Sequence, residues 1–576
     1  MTEPVARPRV LLVGLLVAIL TAYPPIASLW QQGTLGAFKY LAPDAFYYLA
    51  IADHSQGVAA FTFDGSHPTN GFHPLWQLLL YFGFGWLGPD QPVQLYFTMI
   101  ASIGLVAVGT GFLGATALRL TGRPELGLLA AVPGFFYLVT PDFGPQFGAQ
   151  WAFANGMETP LTVFFFGILA WWLLAGRGRN EAWTPRRLVC LSLTLTALIL
   201  SRLDDVFLLV PFAAALALRA DTRQRRAADL LRLGAIPCVV LVAYMIYNLV
   251  QAGALLPSSG AAKAQPLWAL LRNTYSTLTT FVPLLDVLRE PVSTWDSEAW
   301  RILQMILPAG VAVVWLHQVF GRRGNRRRPE EPWRRSLALL AAYVVLKAAY
   351  NFSVVGLWHQ GWWYYPASIM TTNLIAAVWI GDRLDRASSQ PPQGEGAPRA
   401  ENARWLPAMV AVAVVCLLAN HYAFVKKSGL YHQRSHTFWQ ERDTIRELIA
   451  RECDHCGVLA FDDGIVSYSL GDVSTLNGLG LAMDADAQAA LSSGRLLDLA
   501  WQRGHRLFLS VAYPLPDDAW KSPGRLRTQL ARNVHFAGVD LGRWDFEVAF
   551  RTPEGDIPLI RFVPAKEALR GEADAR

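Results

Sequence analysis

Charged residues are scarce in this chain. Asp, Glu, Lys and Arg make up 16% of its 576 residues, against about 25% in soluble domains, while 53% are hydrophobic. The mean hydropathy is +0.26. A single water-soluble domain is therefore excluded. Cysteine is scarce too, and five residues are too few for a disulfide scaffold. Cys190, Cys238 and Cys416 lie in apolar segments and read as small buried hydrophobes. Cys453 and Cys456, in CDHC, lack a thioredoxin context and further zinc ligands, which leaves a local disulfide or two free thiols. The chain has no GK[ST] phosphate loop, so ATP is not implied, and no convincing internal repeat.

Basic residues are missing from alternate loops. Residues 31–93 hold one, Lys39, and 141–159 hold none. The net charge of +6 sits instead in GRGRNEAWTPRR (176–187), RADTRQRRAADLLR (219–232), GRRGNRRRPEEPWRR (321–335) and GDRLDR (381–386). Confined to loops, it points away from nucleic acid and marks those loops as cytoplasmic by the positive-inside rule.

Apolar runs of about twenty residues recur along the first three quarters, as a bundle of spanning helices requires. The run from Val10 to Trp30 follows Arg7 and Arg9 and lacks a small-residue cleavage site, so it reads as a retained first span. Further spans are expected near 94–118, 125–140, 160–175, 187–201, 206–218, 233–250, 301–320, 336–353, 364–380 and 405–424. That arrangement gives about eleven, with the N-terminus inside and outer loops at 31–93, 141–159 and 251–300. PLWQLLLYFGFGWLG (74–88) is short for a span and reads as a re-entrant or interfacial helix. SSQPPQGEGAP (388–398) is an inner linker. From residue 430 the composition turns soluble: TFWQERDTIRELIARE has helical periodicity, and GVLAFDD, HRLFLSVAY, RWDFEVAFRT and IPLIRFV read as strands. The expected fold is an α-helical polytopic membrane bundle over 1–429 with a small extracytoplasmic α/β domain over 430–576, in the cytoplasmic (inner) membrane.

The polar residues that carry chemistry gather in the outer loops. Asp44 follows the first span and opens AFYYLAIADH; it reads equally as a functional carboxylate or a helix N-cap. FDGSHPTNGFHPLW (63–76) is rich in turn residues, and its His67 and His73 lack the spacing of a zinc site, which favours hydrogen bonding. Glu158 lies at the outer end of a span, where a first-turn carboxylate also suits the helix dipole. Together, Asp44 and Glu158 could divide base and positioning work or hold a divalent cation, the one cofactor these residues suggest. In SRLDD (201–205), Arg202 could simply pair with Asp204 or Asp205. LLPSSGAAK (255–263) offers Ser258, Ser259 and Lys263 to a phosphate from a loop of small residues. VGLWHQGWWYYP (355–366) clusters His359, Trp363 and Tyr364, as interfacial belting or as a stacking surface for a sugar or isoprenoid.

These landmarks, in order, resemble a known superfamily. The acid before Ala-Phe-Tyr-Tyr-Leu, FTFDG-x-x-PTNGFHPLW, NGMETPL, SRLDD, LLPSSGAAK, WWYYP and AFDDGIVSYSLGDVSTLNGLG are similar to those of bacterial membrane glycosyltransferases of the GT-C class. The class includes oligosaccharyltransferase catalytic subunits, protein O-mannosyltransferases and the aminoarabinose and arabinofuranose transferases. The resemblance implies inverting transfer from a polyprenyl-phosphate sugar to a glycan, lipid or protein acceptor on the outer face of the bilayer. It casts Asp44 as the catalytic residue and Glu158 as the second-loop carboxylate. Lys263 and Arg202 are then candidates to hold the departing phosphate, with Ser258 and Ser259. Tyr47, Tyr48, His67, Asn70, His73, His359, Trp363 and Tyr364 would shape the substrate pocket. Close relatives often carry two acids before the Ala-Tyr run, whereas here Pro43 precedes Asp44, which weakens the case for a metal. Rival readings are an outer-face polymerase or ligase using a diphosphate-linked glycan, and a lipid-linked sugar transporter without chemistry. A transporter would favour polar groups at mid-membrane and repeated halves.

The charge pattern gives a direct expectation. Reporter fusions after residues 180, 225 and 328 should read inside, and a fusion after 430 should read outside. An inside signal at 430 would overturn the topology.

Overall fold

The structure is a computed structural model. It describes residues 7–131, 153–175, 184–219, 222–263, 267, 270–275, 297–320, 332–355, 364–389, 430–453, 455–461, 464–478, 482–509, 511, 522–532, 539–552 and 557–565. The chain divides into two compact units. One comprises 1–31, 99–241 and 263–427, the other 32–98, 242–262 and 428–576.

The first unit is helical. Among the described residues four helices of the chain are long and apolar enough to cross a membrane: Arg7–Gln32, Gln91–Thr121, Arg223–Ala252 and Pro332–Val354. Thr159–Ala175 and Ile306–Phe320 are shorter apolar helices. Each falls on one of the apolar runs expected to span. Only 17% of the apolar stretch of Arg223–Ala252 is buried, with Val239, Val242, Ile246 and Val250 exposed, a surface suited to lipid rather than water. Cys190 and Cys238 are likewise exposed on their helices, not buried as expected. An apolar helix that faces lipid has no need to hide its thiols in protein, and sequence periodicity cannot tell the two surroundings apart. The segment 405–424 and most of 125–140 lie outside the described residues.

Glycine sets how closely these helices approach. A Cβ on Gly167 would stand 2.3 Å from the Gly109 carbonyl oxygen, and one on Gly109 would stand 2.4 Å from that of Val163. Gly14 and Gly111 meet similarly, with would-be Cβ contacts of 3.2 and 2.9 Å to each other's carbonyls. Helix packing in membranes depends on such small residues, because apolar side chains gain nothing by leaving lipid. Val10, Val13, Val17, Ala115 and Leu118 close the same contact.

The second unit holds a five-stranded sheet of β1 (Gly457–Ala460), β2 (Thr475–Asn477), β3 (His505–Leu509), β4 (Trp544–Arg551) and β5 (Pro558–Pro564), in the order β2-β1-β3-β5-β4. β1 runs parallel to β2 and β3, while β5 is antiparallel to β3 and β4. β1 is a continuous apolar run, buried throughout, as a central parallel strand must be. In β4, Trp544 and Phe546 point inward between exposed Asp545 and Glu547, the period of a strand covered on one face. Leu459, Phe508, Ile560 and Phe562 join them in the core. β2 is three residues long, too short to show any period, and was not expected.

The helix expected over 437–452 is two, Leu430–Gln440 and Arg442–Glu452, with the break at Glu441. Ile445 and Ile449, one turn apart, anchor the second helix. Cys453 and Cys456 are joined in a disulfide that links its end to β1. The short apolar segment after Pro74 is the helix Pro74–Leu87, which exposes Leu78, Phe82 and Trp86 on one stripe.

Among the described residues of this unit, three imidazoles are buried: His432, His436 and His505. Burial lowers each pKa from near 6.5 to about 4, so each is neutral when folded. Above pH 6.5 they add nothing to the pH dependence of stability. Between about 6.5 and 4 the unfolded chain takes up protons that the folded chain refuses, and stability falls by up to about 1.4 kcal/mol per pH unit for each. Thermal unfolding in detergent should therefore show a flat midpoint above pH 7 and a steady fall from 6.5 to 4. A midpoint constant across that window would show that these rings take up protons in the folded state.

Candidate functional site

In the second unit, the helix Ala45–His54 is buried on every side from Ala45 to Ala52. Asp44 occupies its N-cap position, but with helical backbone angles (φ −59°, ψ −18°) and no side-chain cap bond. A capping Asp takes extended angles and accepts an N–H from the first turn. The carboxylate thus stands at the helix start without serving as its cap.

Neighbouring segments pin that helix closely. Gly464 sits at φ +94°, where a Cβ would meet the Tyr47 nitrogen at 2.6 Å and the Phe46 carbonyl carbon at 2.7 Å. Only glycine fits both the angle and the space. Asn477 donates its amide to the Tyr47 hydroxyl at 3.1 Å, and Ser467 donates to the Phe63 carbonyl at 3.0 Å. Tyr48 accepts the His73 N–H at 3.3 Å on its hydroxyl and the Gln77 amide at 3.3 Å on its carbonyl.

The FDGSHPTNGFHPLW loop is held by its own polar residues. Asp64 accepts from the amides of Ser66 (2.9 Å) and His67 (2.7 Å), the Thr62 hydroxyl (3.0 Å) and the His67 ring (2.6 Å). Burial alone would raise its pKa, but the His67 and Ser66 bonds outweigh it and hold the carboxyl below its ordinary value. Asn70 clamps a distant segment: its amide donates to the Leu256 carbonyl at 3.1 Å, and its oxygen accepts the Ser258 N–H at 3.0 Å. Tyr244 donates to the Phe72 carbonyl at 3.2 Å. PSSGAAK, expected as a loop, includes the short helix Ser258–Lys263, with Ser258 buried and Ser259 half-buried. Small residues give no hydrophobic period by which sequence could reveal that helix. The Lys263 side chain, His359 and Trp363 lie outside the described residues.

The first unit holds a buried ion network. Arg202, in extended conformation (φ −150°), joins the helix Pro185–Ser201 to the tight turn Leu203–Leu208. Its Nη1 donates to Glu158 at 2.6 Å, its Nε lies 2.9 Å from Asp204, and its guanidinium stacks 4.2 Å from the Tyr364 ring centre. Glu158 precedes the helix Thr159–Ala170 without capping it by its side chain. Asp205 accepts the Tyr343 hydroxyl at 2.5 Å and pairs with Lys347, which also lies 3.5 Å from Asp204. Lys347 and Asp205 are wholly buried. Three of the expected site residues, Glu158, Arg202 and Tyr364, are thus brought together. Lys347 and Tyr343 were not anticipated, although a lysine inside the apolar run LALLAAYVVLKAAY was a visible signal. Among the described residues, no group of three or more His, Cys, Asp or Glu is placed to hold a metal.

No family model matches the chain, and a search of curated proteins found no match. Solved structures do match. ArnT from Cupriavidus metallidurans, bound to undecaprenyl phosphate, is 14% identical with a TM-score of 0.51, over 96% of this chain and 98% of that one. The oligosaccharyltransferase of Archaeoglobus fulgidus in complex with zinc and sulfate is 12% identical with a TM-score of 0.48, over 95% and 72%. The same organism's oligosaccharyltransferase AglB, with an inhibitory peptide and a dolichol-phosphate, is 10% identical with a TM-score of 0.47, over 97% and 74%. The chain shares the fold of ArnT along nearly its whole length.

Removing one partner of a buried ion pair typically costs 3–5 kcal/mol, because it strands the other charge. Lys347→Met should lower the unfolding midpoint in detergent sharply, and adding Asp205→Asn should recover part of the loss. Equal stability of Lys347→Met and the parent would show that the pair contributes nothing.

Proposed function

We propose, from that shared fold, that the chain is a membrane glycosyltransferase moving a sugar from a polyprenyl-phosphate donor to an envelope glycan, lipid or protein acceptor. The observation that carries this reading is the likeness to ArnT over 96% of the chain, with an acid at the start of a pinned, buried helix. The proposed topology has eleven spans in the inner membrane, with residues 430–576 forming an α/β domain on the outer face. The Cys453–Cys456 disulfide supports that placement, since disulfides persist in oxidising compartments.

In the proposed reaction Asp44 takes the proton from the acceptor nucleophile as it attacks the anomeric carbon. The bond from that carbon to the phosphate oxygen breaks, and the polyprenyl phosphate leaves with the electron pair. A phosphate already leaves well, so the chemistry calls for a base and for cations at the departing oxygen, not for a strong general acid. Lys263 is our first choice for that cation, with Ser258 and Ser259 beside it in sequence. Arg202 already has its charge offset by Glu158 and Asp204, so we assign it first to holding Glu158 in place. Tyr47, Tyr48, His67, Asn70 and His73 shape the pocket through the bonds described above, with Tyr364, His359 and Trp363 as further candidates. A divalent cation, if used, would need ligands beyond Asp44. The polymerase and transporter readings are not favoured by any separate observation.

Asp44→Asn preserves shape and removes the base. Transfer from a labelled polyprenyl-phosphate sugar should fall about 10²–10⁴-fold in protein of parental elution profile. Near-parental turnover would remove Asp44 from the mechanism.

A further inference from the structure

In the second unit, the helix Arg442–Glu452 ends in a covalent tie. Cys453 leaves the helix in extended conformation (φ −157°, ψ 133°) and is bonded to Cys456, which directly precedes β1. Between them, exposed His455 stands at φ +59°, and among the described residues it is the one besides glycine with a positive φ. Few L-residues adopt that angle without strain, and opening the bridge lets this one leave it. The two cysteines also differ in access: Cys453 is half-buried and Cys456 is buried. Disulfides that are strained or within reach of solvent are the readily reduced ones, unlike those sealed in a core.

What this helix holds leads to Asp44. Arg446 donates from Nε to the Leu470 carbonyl at 2.8 Å and from Nη2 to the Ser469 carbonyl at 2.7 Å. Those are the last carbonyls of the short helix Ile465–Leu470, which has no further turn to satisfy them. Gly464, at the start of that short helix, presses on Phe46 and Tyr47, and its Ser467 holds the Phe63 carbonyl. One line of contacts therefore runs from Cys453 through Arg446 to the helix that opens at Asp44. Apart from the disulfide and Arg446, the helix Arg442–Glu452 is held modestly. Its buried side chains are Ile445 and Ile449, and Glu452 pairs with Arg561 of β5. That pair is partly exposed, and such pairs add little.

We infer that the Cys453–Cys456 bridge is a redox-controlled clamp, opened by a dithiol exchange protein, whose reduction loosens the helix that begins after Asp44. The partner's thiolate attacks Sγ of Cys453, the more accessible cysteine. The bond between the two sulfurs breaks, and Cys456 leaves as a thiolate that takes up a proton. The partner's second thiolate then attacks the partner's own sulfur in the mixed disulfide and displaces Cys453, which is protonated in turn. Two electrons pass to this chain, and the partner is left as a disulfide. That a loosened helix slows transfer rests on the reading of Asp44 as the base; the loosening itself does not.

The test uses the purified full chain in detergent, oxidised or treated with reduced thioredoxin as the probe. Under native conditions thioredoxin should open the bridge, after which Cys453 and Cys456 both alkylate. Hydrogen exchange read by mass spectrometry should then speed about tenfold in residues 442–452, 465–470 and 45–54, the order expected for releasing so short a closed loop. Exchange in the helix Pro332–Val354 should not change. Cys453→Ser should show the same faster exchange without thioredoxin and no response to it. A bridge that resists thioredoxin until the chain unfolds would overturn the inference. So would faster exchange that stops at residue 457 in the reduced parent. No transfer is measured, so failure here leaves the transfer reading standing. Failed transfer by an oxidised chain that shows the exchange response removes only the transfer reading.

Discussion

A charge withdrawn from water is stable only beside its opposite, and the first unit is arranged around that constraint. Arg202 holds Glu158 and Asp204 and lies against Tyr364, while Lys347 and Tyr343 hold Asp205. The partners come from the start of one helix, a tight turn, the interior of another helix and the segment before a third. A slip of one helical turn, about 5.4 Å, would separate Arg202 from Glu158 and Lys347 from Asp205. Apolar packing in lipid gives little such register, because one aliphatic contact is much like the next. Buried ion pairs of this kind add little net stability over a well-packed apolar substitute. What this network supplies is a single permitted alignment of four segments.

The second unit solves a similar problem with hydrogen bonds. Its polar loop is held partly by its own residues and partly by distant ones. Asp64 gathers four donors within six residues, and Asn70 reaches across 188 positions to fix Ser258. Asn477 and Gly464 come from still further along the chain to fix the helix that starts at Asp44. A carboxylate at the start of such a helix moves only if several segments move with it.

Some of this was legible in the sequence, and the division has a physical basis. The spans at 10–30, 94–118, 233–250 and 336–353 fall inside observed helices because an apolar run is a local property. The strands at 457–460 and 544–551 were visible for the same reason. Local patterns also showed that Asp44 and Arg202 were out of place in so apolar a chain. They showed the neighbouring partner of Arg202, Asp204, and none of the distant ones. Lys347 stands 142 residues from Asp205, and no period or spacing joins them. Nor could sequence separate a capping Asp from one that stands uncapped with helical angles; only backbone geometry distinguishes them.

The glycine contacts of the helix Gln91–Thr121 bear on how any set of inactive variants should be understood. Gly109 and Gly111 lie where two other helices touch its backbone, so even a methyl group there forces the partners apart. Substitutions at these positions would abolish any activity while touching no substrate. They form a class of lesion in which silence reports failed assembly, and they mark the background against which a loss at Asp44 has to be judged.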